Sequence, residues 1–216
     1  MTRISKDPAI RRQELIEAAK RLFLTRGYES TSIKDILFIV GGQPGMFYYY
    51  FKSKEEIYKT ALTQFVDEYV QQTTDILEDT SNSISSRICN ALKFTKTCLI
   101  QSFIASDDGY AAGNIESSAV ISYDFLNRLA EPTAKLILEA QKNEVTKSPF
   151  ISCENVRSVA LFLLYGVYGI INDSHDTALT ANVVDGNMKN IYPLLSAIFK
   201  ISECQIRSEN SQAHHE

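Results

Sequence analysis

Residues 15–54 read LIEAAKRLFLTRGYESTSIKDILFIVGGQPGMFYYYFKSK. The apolar positions recur at helical spacing, in three short runs rather than one long one. Leu15, Ala18, Ala19, Leu22 and Phe23 mark the first helix. Asp7 stands upstream as its N-cap, Pro8 takes the first helical position, and Gly27 follows Arg26 where a left-handed cap is wanted. A second helix starts at Thr31 or Ser32 and keeps Ile33, Ile36, Leu37 and Val40 on one face. Gly41-Gly42 makes a tight turn, and a short helix runs from Gln43 to about Tyr50, with Pro44 tolerated in its first turn. Phe47 and Phe51 lie four apart and should lock this third helix onto the core, whereas Tyr48, Tyr49 and Tyr50 cannot all be buried in so small a domain. The outline is that of a helix-turn-helix unit.

Downstream the helices lengthen. Ser53 and Glu56 form a capping box for a helix running to about Leu77, with Ile57, Ala61, Leu62, Phe65 and Tyr69 on its buried face. Residues 79–83 are a polar break, and a further helix spans Ile84 to about Ala105. Asp107-Asp108-Gly109 ends it, residues 110–121 are ambiguous, and a helix covers about Tyr123 to Asn143, with Pro132 expected to kink or divide it. Lys147 to Ser152 reads as a loop. Residues 153–172 form a helix that is apolar almost all round, which must be buried on several sides. In the last helix Val184, Met188, Ile191, Leu195 and Ile198 make a narrow heptad seam, and Pro193 bends it. The expectation is an all-α chain: a three-helix helix-turn-helix domain at residues 1–53, a longer helical domain at 54–205, and a disordered tail at 206–216.

Charge separates the two ends of this chain. The whole carries 22 Lys and Arg against 26 Asp and Glu, but residues 1–60 hold 11 basic and 7 acidic groups, so a basic quarter precedes an acidic remainder. That suggests a small module for a polyanion attached to a body with another task. With 216 residues and 44% hydrophobic content there is ample material for a core. The four cysteines (Cys89, Cys98, Cys153, Cys204) are far apart and form neither a zinc nor a disulfide framework. No metal or cofactor is expected; His214 and His215 read as part of a frayed tail. There is no signal-peptide pattern, and the longest apolar run, Val159 to Ile171, is too short for a membrane crossing, so a cytoplasmic location is expected. Apart from the terminal pair His175 is the only histidine, set in a polar stretch, and no nucleophile with its base or glycine-rich phosphate loop accompanies it. An enzyme is not expected.

Residue identities in the first quarter go further. Ala18-Ala19, Leu22-Phe23, Gly27-Tyr28, Thr31-Ser32, Ile36, Gly41, Gly45, Phe47-Tyr48, Tyr50-Phe51 and Lys52-Ser53-Lys54 together resemble the DNA-binding domain of the tetracycline-repressor (TetR) family. The resemblance implies that Tyr48, Tyr49 and Tyr50 contact the DNA backbone or base methyl groups, beside Lys52 and Lys54, which suit a phosphate surface. Thr31 and Ser32, at the start of the second helix, would bind phosphate. Gly41 orients the third helix, and Gly45 lets the backbone come close to DNA. The chain departs from the usual pattern at Gly42, where valine is common, and at Gln43-Pro44. The missing valine is expected to loosen the turn; Gln43 could read adenine, and Pro44 or Met46 a thymine methyl. Arg3 and Lys6 could form an arm reaching phosphates or the minor groove.

The resemblance also implies a homodimer on a palindromic operator, joined through the last two helices, with Leu161, Tyr168, Met188, Ile191, Leu195 and Ile198 as interface residues and Gly166 and Gly169 permitting close approach. It implies a small, mainly hydrophobic effector in the body. Candidate lining residues are Phe94, Cys98, Phe103, Tyr123, Phe125, Phe162 and Tyr165. The competing expectation is a helical interaction module without specific DNA binding, which leaves the Gly41–Lys54 constellation unexplained.

Overall fold

The computed structural model describes residues 7–104, 115–143, 145, 151–171 and 181–199. Eight helices follow one another: α1 (Pro8–Arg26), α2 (Ile33–Val40), α3 (Pro44–Tyr50), α4 (Lys54–Glu78), α5 (Ile84–Ile104), α6 (Ile115–Lys142), α7 (Val156–Ile171) and α8 (Ala181–Phe199). Among the described residues there is no strand, and no helix is long and apolar enough to cross a membrane. Arg3, Lys6, His175, His214, His215, the tail at 206–216 and the side chain of Phe103 lie outside the described residues.

The chain divides into two compact units, Met1–Glu68 with Gln101–Ser118, and Tyr69–Ile100 with Ala119–Glu216. The core of the first is Leu15, Ile16, Ala18, Ala19, Leu22 and Phe23 of α1, Ile36 and Leu37 of α2, Phe47 of α3, Phe51 just beyond it, and Ile57 and Ala61 from the first turns of α4. Asp7 caps α1 through Ala9 N–H at 2.8 Å. Gly27 closes it with φ 75° and ψ 169°, a positive φ that suits glycine but not the left-handed helical cap expected.

Helix α6 differs from expectation. It starts at Ile115, taking in part of the stretch left ambiguous, and continues through Pro132 undivided. Proline costs the helix a backbone hydrogen bond. The buried stripe of Leu126, Leu129, Ala130, Leu136, Ile137 and Ala140 runs along both sides of it, and that apolar burial offsets the loss. Arg87 at the start of α5 is buried; its Nη1 donates to Leu77 O at 3.0 Å, capping the last turn of α4, and its Nη2 pairs with Glu139 of α6.

The last two helices overturn part of the expected dimer surface. Val184, Met188, Ile191 and Leu195 are buried within the single chain, where α8 packs against α7. The heptad seam is therefore core, and Met188, Ile191 and Leu195 are not available to a second copy. Leu161 and Tyr168 are half-buried, and of the named seam residues Ile198 alone is exposed. The uncovered apolar face lies elsewhere. It consists of Phe162, Tyr165, Gly166 and Gly169 on α7, spaced 3, 1 and 3 along one stripe, with Leu194 and Ile198 on α8. Phe162 is 77% exposed, and a Cβ at either glycine would meet open space.

Candidate DNA-binding surface

The surface is built on the turn between α2 and α3. Ser32 and Asp35 form a reciprocal cap: Asp35 N–H donates to Ser32 Oγ at 3.2 Å, and Ser32 N–H donates to Asp35 Oδ2 at 2.8 Å. The Ser32 hydroxyl also donates to Asp35 Oδ2 at 2.6 Å, and these bonds hold the carboxyl below its usual range. Thr31 lies inside, with its hydroxyl donating to Gly27 O at 2.8 Å. It braces the α1–α2 turn. The expectation that Thr31 and Ser32 present hydroxyls to phosphate is corrected accordingly: one hydroxyl is interior and the other is bound to a carboxylate.

Gly41 adopts φ 63° and ψ 38°, the left-handed geometry the turn requires. Gly42 N–H donates to Leu37 O at 2.9 Å and Gly41 N–H to Phe38 O at 3.4 Å, the paired bonds of a Schellman termination. A Cβ on Gly42 would stand 2.1 Å from Met46 Cε and 2.9 Å from Leu37 Cδ2. Met46 thus fills the space that a side chain at position 42 would take, and packs on the domain core. Two expectations change together. Met46 occupies the space of the absent valine, and it points inward rather than toward a thymine methyl. The relation between positions four apart across a turn was not readable from either residue alone.

Gln43 is the N-cap of α3 without a side-chain capping bond, and Pro44 opens the helix. Gln43, Pro44 and Gly45 are all exposed, and a Cβ at Gly45 would meet nothing within 4 Å. Phe47 and Phe51 are buried as expected, with ring centroids 5.9 Å apart. Tyr48 and Tyr49 are 60% and 75% exposed, while Tyr50 packs on the core and meets Tyr49 edge-on at 4.8 Å. The tyrosine triplet splits into two surface groups and one anchor.

Lys52 is exposed, and its N–H donates to Glu56 Oε2 at 2.6 Å while Glu56 N–H donates to Ser53 Oγ at 3.1 Å. The capping box expected at Ser53 is present with Lys52 N–H as its second donor. Lys54 places its Nζ 4.1 Å from the centroid of Tyr28, whose ring is in turn 4.8 Å from Tyr58 and 5.8 Å from Phe23. A cation over an aromatic face loses side-chain freedom but keeps its charge. Arg12 lies 5.0 Å from the Phe51 ring at the far end of α3, a second cation beside that helix.

The candidate pocket residues disperse. Tyr69 stacks on Phe94 at 5.2 Å and meets Phe125 edge-on at 4.9 Å, and its hydroxyl lies 2.6 Å from Thr95 Oγ1. Burial pushes the Tyr69 hydroxyl up to about 12 and the nearby Cys98 thiol up to about 11, so both are neutral near pH 7. Phe94, Phe125 and Cys98 thus belong to one neighbourhood, together with Tyr69, which the pattern had assigned only to a buried face. Tyr123, Phe162 and Tyr165 do not: all three side chains face outward from the single chain. Aromatic character alone could not separate interior from interface. Among the described residues no group of three or more His, Cys, Asp or Glu could hold a metal ion.

A basic module whose second and third helices meet at a glycine turn, with polar, aromatic and cationic groups left on the third, defines the class of helix-turn-helix proteins. Residues 15–61 match the family described as bacterial regulatory proteins, tetR family. That match is confined to the N-terminal helices α1 to α3 and the start of α4. The chain is 34% identical over 84 residues to the HTH-type transcriptional repressor KstR2 of Mycobacterium tuberculosis, a match spanning 39% of this chain and 42% of that repressor. The chain therefore matches less than half the length of this curated relative. The fold extends further: a transcriptional regulator from Cytophaga hutchinsonii superposes with a TM-score of 0.68, covering 89% of this chain and 100% of its own at 19% identity. A gamma-butyrolactone receptor (ArpA-like protein) superposes with a TM-score of 0.58 at 18% identity, over 95% and 98% of the two chains.

Proposed function

We propose that the chain is a cytoplasmic transcriptional repressor that binds a palindromic operator as a homodimer and is released by a small, mainly hydrophobic effector. The observation that carries the DNA-binding part is the set of exposed groups on and beside α3: Gln43, Pro44, Gly45, Tyr48, Tyr49 and Lys52, on a helix fixed from behind by Phe47, Tyr50 and Phe51. Gln43 reads a base edge, Tyr48, Tyr49 and Lys52 hold the backbone, and Lys54 adds its charge from the Tyr28 platform. The uncovered stripe of Phe162, Tyr165, Leu194 and Ile198 supports pairing of two chains. The Tyr69–Phe94–Phe125 cluster with the Thr95 hydroxyl supports an effector that combines apolar bulk with one hydrogen-bonding group. That the similar gamma-butyrolactone receptor is named for a small molecule supports the same reading.

The test uses duplexes selected by the full-length protein from a random-sequence pool. Replacing Lys52 by Ala should weaken binding similarly on all duplexes and reduce the salt slope by up to about one unit. Replacing Gln43 by Ala should alter base preference at one position of each half-site. Enrichment of no duplex, or unchanged binding in both variants, would remove the recognition-surface assignment.

A further inference from the structure

A polar clasp ties α1 to α4. Lys20 Nζ lies 2.7 Å from Glu68 Oε2 and 2.9 Å from Glu68 Oε1 on α4, and 3.0 Å from Glu17 Oε2 on its own helix. Gln64 Nε2, one turn before Glu68, donates to Glu68 Oε1 at 2.9 Å and to Glu17 Oε1 at 3.0 Å. Gln13 Nε2 donates to the same Glu17 oxygen at 2.8 Å. Side chains from two helices thus share one network, with a single cation between two carboxylates. Lys20 keeps only 14% of its side chain exposed, against 47% for Glu17 and 42% for Glu68. Burial works against its charge, but its hydrogen bonds to Glu68 and Glu17 outweigh burial and hold the ammonium above its usual range.

What such bonds contribute is geometry more than stability, because ion pairs with exposed partners are worth little. Elsewhere α1 and α4 meet through apolar groups. Ile57 and Ala61 share the core with Leu22 and Phe23, and Phe23 meets Tyr58 edge-on at 5.1 Å. Apolar burial is non-directional, so a helix can roll or slide on it. Tyr58 and Glu68 are ten residues apart, about 15 Å along α4. Two contacts at that separation fix the angle between the helices, which one does not. Without the clasp, a slip of about 2 Å at its end turns α1 by about 8° around the apolar end. The first compact unit also ends at Glu68, the α4 end of the clasp.

We propose that Lys20 is a positioning residue for operator recognition: by clasping Glu68 it sets the angle between α4 and the α1–α3 module, and so the spacing of half-sites that two paired copies accept. This rests on the reading of the chain as a homodimeric DNA-binding regulator. α3 follows α1 because α1, α2 and α3 share one core, and Arg11 Nη1 donates to Val40 O at 3.3 Å at the end of α2. α4 itself continues past Glu68 to Glu78, into the part of the chain that carries the uncovered stripe. A module held at one angle presents α3 at one separation from its counterpart, and half-site spacing follows from that separation. Lys20 acts through Glu68 and not on phosphate, since its charge is already matched by two carboxylates.

The experiment measures the affinity of the full-length protein for a single half-site duplex and for palindromes lengthened or shortened at the centre by one or two base pairs. Each base pair moves a half-site about 3.4 Å along and about 35° around the duplex. The parent should prefer one spacing over its neighbours by about tenfold or more. Lys20→Met keeps the apolar stem and drops the charge. It should retain the half-site affinity and flatten the spacing preference to about threefold or less. Glu68→Gln should flatten it from the α4 side, and Lys20→Arg should preserve most of it. Lys20→Glu combined with Glu68→Lys should recover what either reversal alone loses, because the cation again lies between two carboxylates. A merely structural role would lower half-site and palindrome affinities in step and leave the preference intact. That pattern, or an unchanged preference in both Lys20→Met and Glu68→Gln, would overturn the positioning role. Absence of binding to every duplex would instead end the DNA-binding reading, and a parent that binds palindromes no better than a half-site would end the homodimer reading, and the proposal with either.

Discussion

At the scale of single residues, the turn between α2 and α3 depends on a pair. Gly42 has no side chain, and the methyl of Met46 lies where one would begin. Met46 ends in a flexible thioether, so a larger group at 42 displaces it rather than breaking the turn. Gly42→Val should cost about 1 kcal/mol in the parent and close to nothing in a Met46→Ala background. A thermal or denaturant double-mutant cycle measures this, and equal costs in both backgrounds would show that the two sites do not share the space. Asp35 offers a second test. Its carboxyl is held below the usual range chiefly by the Ser32 hydroxyl, and also by Ser32 N–H. A group with a depressed folded value stabilises the fold above its unfolded value, and that contribution is lost as pH falls through the folded one. Asp35→Asn should therefore lower the melting point at pH 7 and converge with the parent in acid, below the ordinary Asp value of about 3.9. A gap that persists undiminished in acid would assign the effect to something other than charge.

At the scale of elements, helical spacing located α1, α2 and the start of α4 because their caps are local: Asp7, Ser32, Gly41 and Ser53 each act within a few residues. It was less informative for the body. A spacing of 4, 3, 4, 3 in α8 says that one stripe is apolar, not whether that stripe meets its own chain or another. Periodicity likewise left the start of α6 open, and the proline drew attention to a break that burial overrides. The placement of α8 makes a sharp prediction. Leu195→Ala should destabilise the chain by about 2–4 kcal/mol, since the buried side chain leaves a cavity. Leu194→Ala, one position along and 53% exposed, should cost the folded monomer under about 0.5 kcal/mol. Denaturant midpoints compare the two directly. Similar losses would mean that α8 is rotated from the orientation described.

At the scale of the whole molecule, the exposed stripe on α7 and α8 connects stability to function. On the proposed reading a lone helix-turn-helix would meet one half-site through the few exposed groups of α3 and its flanks, too few phosphate and base contacts for specific affinity. Two joined copies add their contacts, because binding of the second half-site is then intramolecular. The junction should be sensitive to a charge at Phe162, which is 77% exposed and sits one turn from Gly166 on the same face. In the separate chain a glutamate there remains in water and costs little; in a pair two carboxylates would be buried opposite or near each other without a partner. Phe162→Glu should leave the melting cooperative, convert the protein to a monomer in sedimentation, and reduce operator affinity by about 10²–10⁴-fold. The order of these effects matters. If affinity falls while the protein remains a dimer, Phe162 acts by another route. If the parent itself sediments as a monomer at micromolar concentration and binds a palindrome no better than a single half-site, the stripe has some other partner and the homodimer reading is withdrawn.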